Sequence, residues 1–432
     1  MLPFSIYLLF VISYFLHFTS RVPLLGAIRF DFVLIVVLFV FFLMSIGETY
    51  QRYYDSVIAK KLVLFICFFL LTIPLVKWPG SVVRYGTEWY LKVIFFYFFT
   101  LAFVTTEKRL KIFLMVFLGC QIFRGLEPAW LHYTTGYWGD VAFSLVGGEM
   151  MHLDRLSGAP HDIVNPNQLA WVIVNVIPFI FFLGWVGRGY FIKATSVVIS
   201  AGLLYALILT GSRSGLISLF AVPVGGVLFS KKKWRNLVIL CFLVVPLVIV
   251  VAGMLRPDLV ERYLSIIDSS VAGADTAQGR LNGLINNLST IMNPYGLLGH
   301  GIGTSREVNA NYLGSRQPAH NLYIEILQEV GIVGLVLFSR YIYSIFTSLM
   351  VSAKLSIGKQ DDFLCRVVQA LLVWVFMQLI YSLSCFGLSS WEWYFFGGVT
   401  TVTVFLLVDQ NCDTPNVSSN TKLQNTGDLY GG

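Results

Sequence analysis

Apolar residues do not alternate along this chain but run in blocks of about 17–25, the length a helix needs to cross the hydrocarbon core of a bilayer. The blocks predict spans at roughly 3–19, 31–47, 62–78, 91–106, 112–130, 168–186, 194–211, 215–230, 236–254, 320–340, 367–386 and 391–408. Two polar stretches are longer than the rest, about 131–167 and 255–319. The pattern thus predicts an all-α, polytopic membrane helical bundle of about twelve transmembrane helices, with its largest loop between spans 9 and 10. Residues 1–130 read as N-terminal membrane spans and 131–408 as the region that carries both long loops. Residues 409–432 form a polar tail whose composition predicts disorder. The chain starts apolar without a small-residue cleavage site, so its first block reads as a retained span.

Composition agrees with a membrane class. The 432 residues are 56% hydrophobic and only 12% charged, about half the charge of a soluble domain. The net charge of +7 does not imply nucleic-acid binding, because the lysines cluster in short connections. Lys60, Lys61, Lys108, Lys111, Lys193, Lys231, Lys232, Lys233, Lys354 and Lys359 all fall on the even-numbered connections. Positive residues stay inside, which predicts cytoplasmic termini and outward-facing long loops. The six cysteines avoid both long loops, so neither a disulfide framework nor a zinc site is implied.

The loops use arginine selectively. The second holds Arg256, Arg262, Arg280, Arg306 and Arg316 without a lysine, and the first holds Arg155 without a lysine. Guanidinium forms planar two-pronged bonds to phosphate and keeps its charge when partly buried. Arginines gathered with a histidine where a loop enters the bilayer suit a phosphorylated, lipid-linked substrate.

Four constellations carry this chemistry. Gly211-Ser212-Arg213-Ser214-Gly215 makes a short outward turn between two spans. Its serines can cap the next helix, and Arg213 beside a helix N-terminus makes an anion cradle; the plain alternative is an arginine that snorkels to the interface. Gly279-Arg280 precedes an amphipathic stretch from Leu281 to Ile291, with Leu281, Leu284, Ile285 and Leu288 at helical spacing. Taken alone, Arg280, Arg306 and Arg316 also read as solvated loop arginines. His320-Asn321 follows Pro318, which predicts His320 in the first turn of the tenth span. Asn321, Glu325 and Glu329 then form one polar stripe; acids inside a span are functional candidates, although for Glu329 a helix-packing contact is favoured. Finally, Arg155, His161-Asp162 and Asn165-Pro166-Asn167 lead into the sixth span. His161 and Asp162 read either as an acid/base pair or as part of a capped loop. The scattered histidines lack metal-ligand spacing, and no metal or cofactor is expected.

The segment Pro318 to Leu335 resembles the closing signature of the O-antigen ligase/polymerase superfamily of bacterial membrane glycosyltransferases. Gly211–Gly215, Gly279-Arg280, Asn293-Pro294, Leu298–Gly303 and Asn165–Ala170 look like further family elements. The resemblance covers about 155–340 and is strongest over 280–335. It implies metal-independent, inverting transfer of a glycan from undecaprenyl pyrophosphate to a sugar hydroxyl, at the periplasmic face of the bacterial inner membrane. The acceptor is a lipid A-core sugar for a ligase and another lipid-linked repeat unit for a polymerase; one sequence leaves the two even. His320 is implied as general base and Arg213 and Arg280 as pyrophosphate ligands. Asn321, Glu325, Arg155, His161, Arg306 and Arg316 stand as supporting or acceptor-side candidates. The rival class is a transporter or flippase of lipid-linked sugars, against which stand the absence of an internal repeat and the position of the cations at the outer edge.

Overall fold

A computed structural model describes residues 1–140, 143–146, 149–152, 154–162, 164–186, 188–230, 263, 283, 285–291, 294–314, 317, 319–355, 362–385 and 387–412. The expected span 236–254 lies outside the described residues, as do Arg256, Arg262, Gly279, Arg280, Arg316 and Pro318.

Each other expected span is a helix. They run Leu2–Leu16, Phe30–Met44, Val57–Thr72, Thr87–Phe103, Glu107–Thr135, Pro166–Phe179, Tyr190–Leu209, Arg213–Leu228, Leu322–Leu355, Phe363–Tyr381 and Glu392–Cys412. Among the described residues, six helical segments are long and apolar enough to cross a membrane: Val57–Leu75, Glu107–Thr135, Pro166–Trp185, Tyr190–Leu209, Leu322–Leu355 and Phe363–Tyr381. The protein is therefore a multi-pass membrane helical bundle. Outside the helices, the first long loop carries one antiparallel hairpin, Phe143–Val146 with Glu149–His152. The last helix runs to Cys412, so the first four residues of the expected tail are helical and the rest lie outside the described residues.

Helix ends follow local chemistry. Ser56 and Thr106 accept the N–H groups of Ala59 and Arg109 at 3.1 and 3.2 Å and so start two spans. Gly136, at φ 75°, ends the 107–135 helix in the left-handed conformation that glycine adopts without strain. Pro178 removes a backbone donor near the end of the 166–179 helix, which continues as a wider π-helical turn, Ile180–Trp185.

The core is aromatic and tied by hydroxyl bonds. The 87–103 helix packs on 392–412, the 213–228 helix on 363–381, and the 322–355 helix on 57–72. Between them Tyr7 bonds Thr100 at 2.7 Å, Tyr97 bonds Thr401 at 3.0 Å, and Tyr341 donates to the Trp393 carbonyl at 2.9 Å. These three buried tyrosine hydroxyls thus find partners inside the bundle, as an apolar surrounding demands.

The 322–355 helix departs from the expected 320–340 in two ways. It runs on to Leu355, well past the expected end at 340. It is also broken at Gly331, where φ is 67° and ψ −169°. The break frees backbone groups, and residues 296–301 fill them. His300 and Gly301 donate N–H to the carbonyls of Gln328 and Glu329 at 2.9 and 2.8 Å. Ile332 and Val333 donate to the carbonyls of Gly296 and Leu297 at 3.0 and 3.2 Å. Irregular backbone inside a span persists only where such partners exist.

Candidate active-site rim

The loops named by the sequence meet at one end of the bundle, and backbone bonds tie them there. Leu156 donates to the Leu209 carbonyl at 2.9 Å, Leu322 to Ser382 at 2.9 Å, and Trp78 to His300 at 3.4 Å.

Arg213 is half-buried and is the first residue of its helix. The turn before it folds as its composition predicts. Gly211 takes φ 56°, and the Ser212 hydroxyl accepts the N–H of Gly215 at 3.2 Å. Gly215 must lack a side chain, because a Cβ there would lie 2.6 Å from the Cβ of Ala170. The expected cap and the arginine at a helix N-terminus are thus both present.

Arg155 lies beneath this turn. Its Nε donates to the Thr210 carbonyl at 2.7 Å and its Nη2 to the Asn167 Oδ1 at 2.9 Å. Asn165 forms a full capping box with Gln168 at the start of the 166–179 helix. Asp162 is not paired with His161. It is buried, and its carboxylate takes two bonds from Arg124, at 2.6 and 2.9 Å, with His17 at 3.1 Å. Burial opposes its ionisation, but the His17 imidazole and Arg124 guanidinium outweigh this and hold its pKa down at about 2. His161 is exposed. The segment ends in the Asn165 cap, and Asp162 serves a buried ion pair. Arg124 went unnoticed in the sequence, although a charged residue within an apolar helix is itself a signal.

His320 is exposed and sits in the loop just ahead of its helix at φ 51°. The expectation that it lies in the first helical turn is corrected, and the reason is Asn321. The Asn321 Oδ1 accepts the N–H groups of Tyr323 and Ile324 at 3.0 and 3.1 Å, so the helix begins after it. Its Nδ2 donates to the Leu383 carbonyl at 3.0 Å. Glu325 accepts the N–H groups of Gly387 and Leu388 at 2.7 and 2.9 Å. Glu329 accepts those of Gly303 and Ser305 at 2.8 and 3.2 Å. The polar stripe is real, and each member clamps a neighbouring loop by its backbone. For Glu329 this is the packing role that the sequence favoured.

Arg306 is exposed on a short helix, Ser305–Leu313, close enough to Glu325 for their charges to interact. The glycine-rich loop before it needs its glycines: Gly299, Gly301 and Gly303 take φ of 81°, 118° and 76°. Of the expected amphipathic stretch 281–291, residues 285–289 are helical, with Ile285 and Leu288 exposed.

A continuous path of bonds joins the two principal candidates. From the Arg213 turn it runs through Thr210, Arg155 and Asn167. The Asn167 carbonyl accepts the Tyr381 hydroxyl at 3.3 Å, and Ser382 and Leu383 hold Leu322 and Asn321. No curated protein matches the chain. Residues 196–339, about a third of it, match the family model described as O-Antigen ligase, and that segment includes Arg213, Arg280 and His320. That match supports a resemblance of this part of the chain to the O-antigen ligase/polymerase superfamily.

Proposed function

We propose that this protein transfers a glycan from undecaprenyl pyrophosphate to a sugar hydroxyl at the periplasmic face of the bacterial inner membrane. It does so as an O-antigen ligase, with a lipid A-core acceptor, or as a polymerase of lipid-linked repeat units. The observation that carries the reading is the match of residues 196–339 to the O-antigen ligase model. In this reading twelve spans leave both termini in the cytoplasm and the rim outside. Exposed Tyr85, Trp89, Trp130 and Tyr133 near the rim, and exposed Tyr50, Tyr54, Trp185 and Tyr190 near the other end, support a membrane between the two belts.

The chemistry asks for three roles. Cleavage of the sugar–pyrophosphate bond leaves negative charge on the departing phosphate, which Arg213 and Arg280 stabilise. His320 takes the proton of the attacking hydroxyl, a role worth roughly 10²–10⁴-fold in rate. The hydroxyl attacks opposite the leaving group, so configuration at the sugar inverts. Arg306 and Arg316 are further cations for the donor, and His161 stands on the acceptor side. A broken span is also a transporter device, but here residues 296–301 occupy the break.

The test is purified protein in detergent with an undecaprenyl-pyrophosphate glycan and either acceptor. Product with a lipid A-core acceptor identifies a ligase; longer lipid-linked chains identify a polymerase. His320→Ala, Arg213→Ala and Arg280→Ala should each lose most turnover. Full turnover by His320→Ala removes the general base. Movement of labelled donor across proteoliposomes without bond formation replaces the reading with transport.

A further inference from the structure

We propose that Arg155 is a positioning residue that fixes the turn carrying Arg213 and does not bind the donor itself. The inference rests on the role given to Arg213 above.

Arg155 is buried, and its fork spans two acceptors on different helices, the Thr210 carbonyl at 2.7 Å and the Asn167 amide oxygen at 2.9 Å. Its neighbour Leu156 donates to the Leu209 carbonyl at 2.9 Å. Two consecutive loop residues therefore grip two consecutive carbonyls at the C-terminal end of the 190–209 helix. Terminal carbonyls lack helical partners and carry partial negative charge, so a cation is well placed there.

Thr210 is three residues before Arg213, with only Gly211 and Ser212 between. The Thr210 hydroxyl also accepts the N–H of Ser212 at 3.2 Å. A shift at Thr210 must therefore move the cap of the 213–228 helix and Arg213 with it. The other acceptor, Asn167, is anchored by its own N–H to Asn165 Oδ1 at 3.0 Å and by the Tyr381 hydroxyl at 3.3 Å. One guanidinium thus holds a helix C-terminus, the helix start that follows it and a third helix end in one arrangement. A planar fork can do this; the point charge of lysine cannot satisfy both acceptors in the same way.

The test uses the full-length protein, with folded fraction matched by gel filtration and melting temperature. Arg155→Ala should lower kcat by roughly 10–100-fold, as a misplacement near 1 Å does. Combined with Arg213→Ala it should add no more than about twofold, because both changes disable one unit. A fully multiplicative double variant overturns the proposal, since that marks an independent substrate ligand. Unchanged activity of Arg155→Ala overturns it too. Asn167→Ala removes only one acceptor and provides the same cycle with a milder change if Arg155→Ala folds poorly. A nitroxide on Arg213→Cys reads the turn without catalysis. Its spectrum should sharpen on adding Arg155→Ala, and an unchanged spectrum removes the positioning role. Should Arg213→Ala alone keep full turnover, the donor-binding reading fails, and the nitroxide still judges the link between Arg155 and the turn.

Discussion

His300 bonds the Gln328 carbonyl twice, through its backbone N–H and through Nδ1, each at 2.9 Å. A carbonyl only accepts, so Nδ1 carries a proton and the histidine acts as a plug in the broken helix. Its ring stacks on Trp78 at 5.5 Å, and Lys77 lies over Trp78 and Tyr312 at 4.6 and 4.4 Å.

This arrangement predicts a pH dependence. Burial first, and the nearby Lys77 charge, push the His300 pKa below its ordinary 6.5. At high pH both folded and unfolded chains are neutral there. As pH falls through 6.5 the unfolded chain takes up the proton first, so stability falls with pH. Melting temperature in detergent should drop between pH 8 and pH 5, and His300→Asn should flatten that part of the slope. Equal slopes for the two proteins would remove His300 as the cause.

Gly331 and Gly299 each press against the other's backbone segment in the plug. A Cβ on Gly331 would lie 2.4 Å from the Leu297 carbonyl oxygen, and one on Gly299 2.3 Å from the Glu329 oxygen. Both positions also have positive φ, a strain of about 1–3 kcal/mol for another residue. Gly331→Ala should lower the melting temperature clearly, and Gly299→Ala/Gly331→Ala should lose less than the two single losses together. Additive losses would mean that the two sites are independent.

Glu329 clamps Gly303 and Ser305 with both carboxylate oxygens. Glu329→Gln keeps one acceptor and turns an N–H toward the other donor, a loss of about 1–3 kcal/mol. Hydrogen exchange at the Gly303 and Ser305 amides should accelerate. Unchanged exchange there would contradict the clamp.

The Arg124–Asp162 pair is buried on both sides. Asp162→Asn leaves an uncompensated guanidinium and should cost about 3–5 kcal/mol, and Arg124→Leu/Asp162→Asn should recover part of it. With its pKa held at about 2, below the ordinary 3.8, Asp162 contributes fully above pH 3.8 and loses its contribution only as pH falls from there toward 2. Thermal melts of the variants at pH 7 check the first claim, and a melt series from pH 5 to 2 checks the second.

Apolar block length placed most of the long helices, because covering a backbone in hydrocarbon requires a helix of that length. Turn and cap chemistry placed Ser212 and Asn165 correctly, since both bond to groups within three residues of themselves. The partners of Arg155, Asp162, Glu325 and Glu329 come from residues 12 to 145 positions away. No local pattern encodes such pairings. Only the packing of helix ends against one another decided that Asp162 answers Arg124, that Glu329 clamps a glycine loop, and that a helix which reads as continuous is broken at Gly331. Local chemistry sets what a segment can become, and the long-range bonds that satisfy its buried polar groups select what it is.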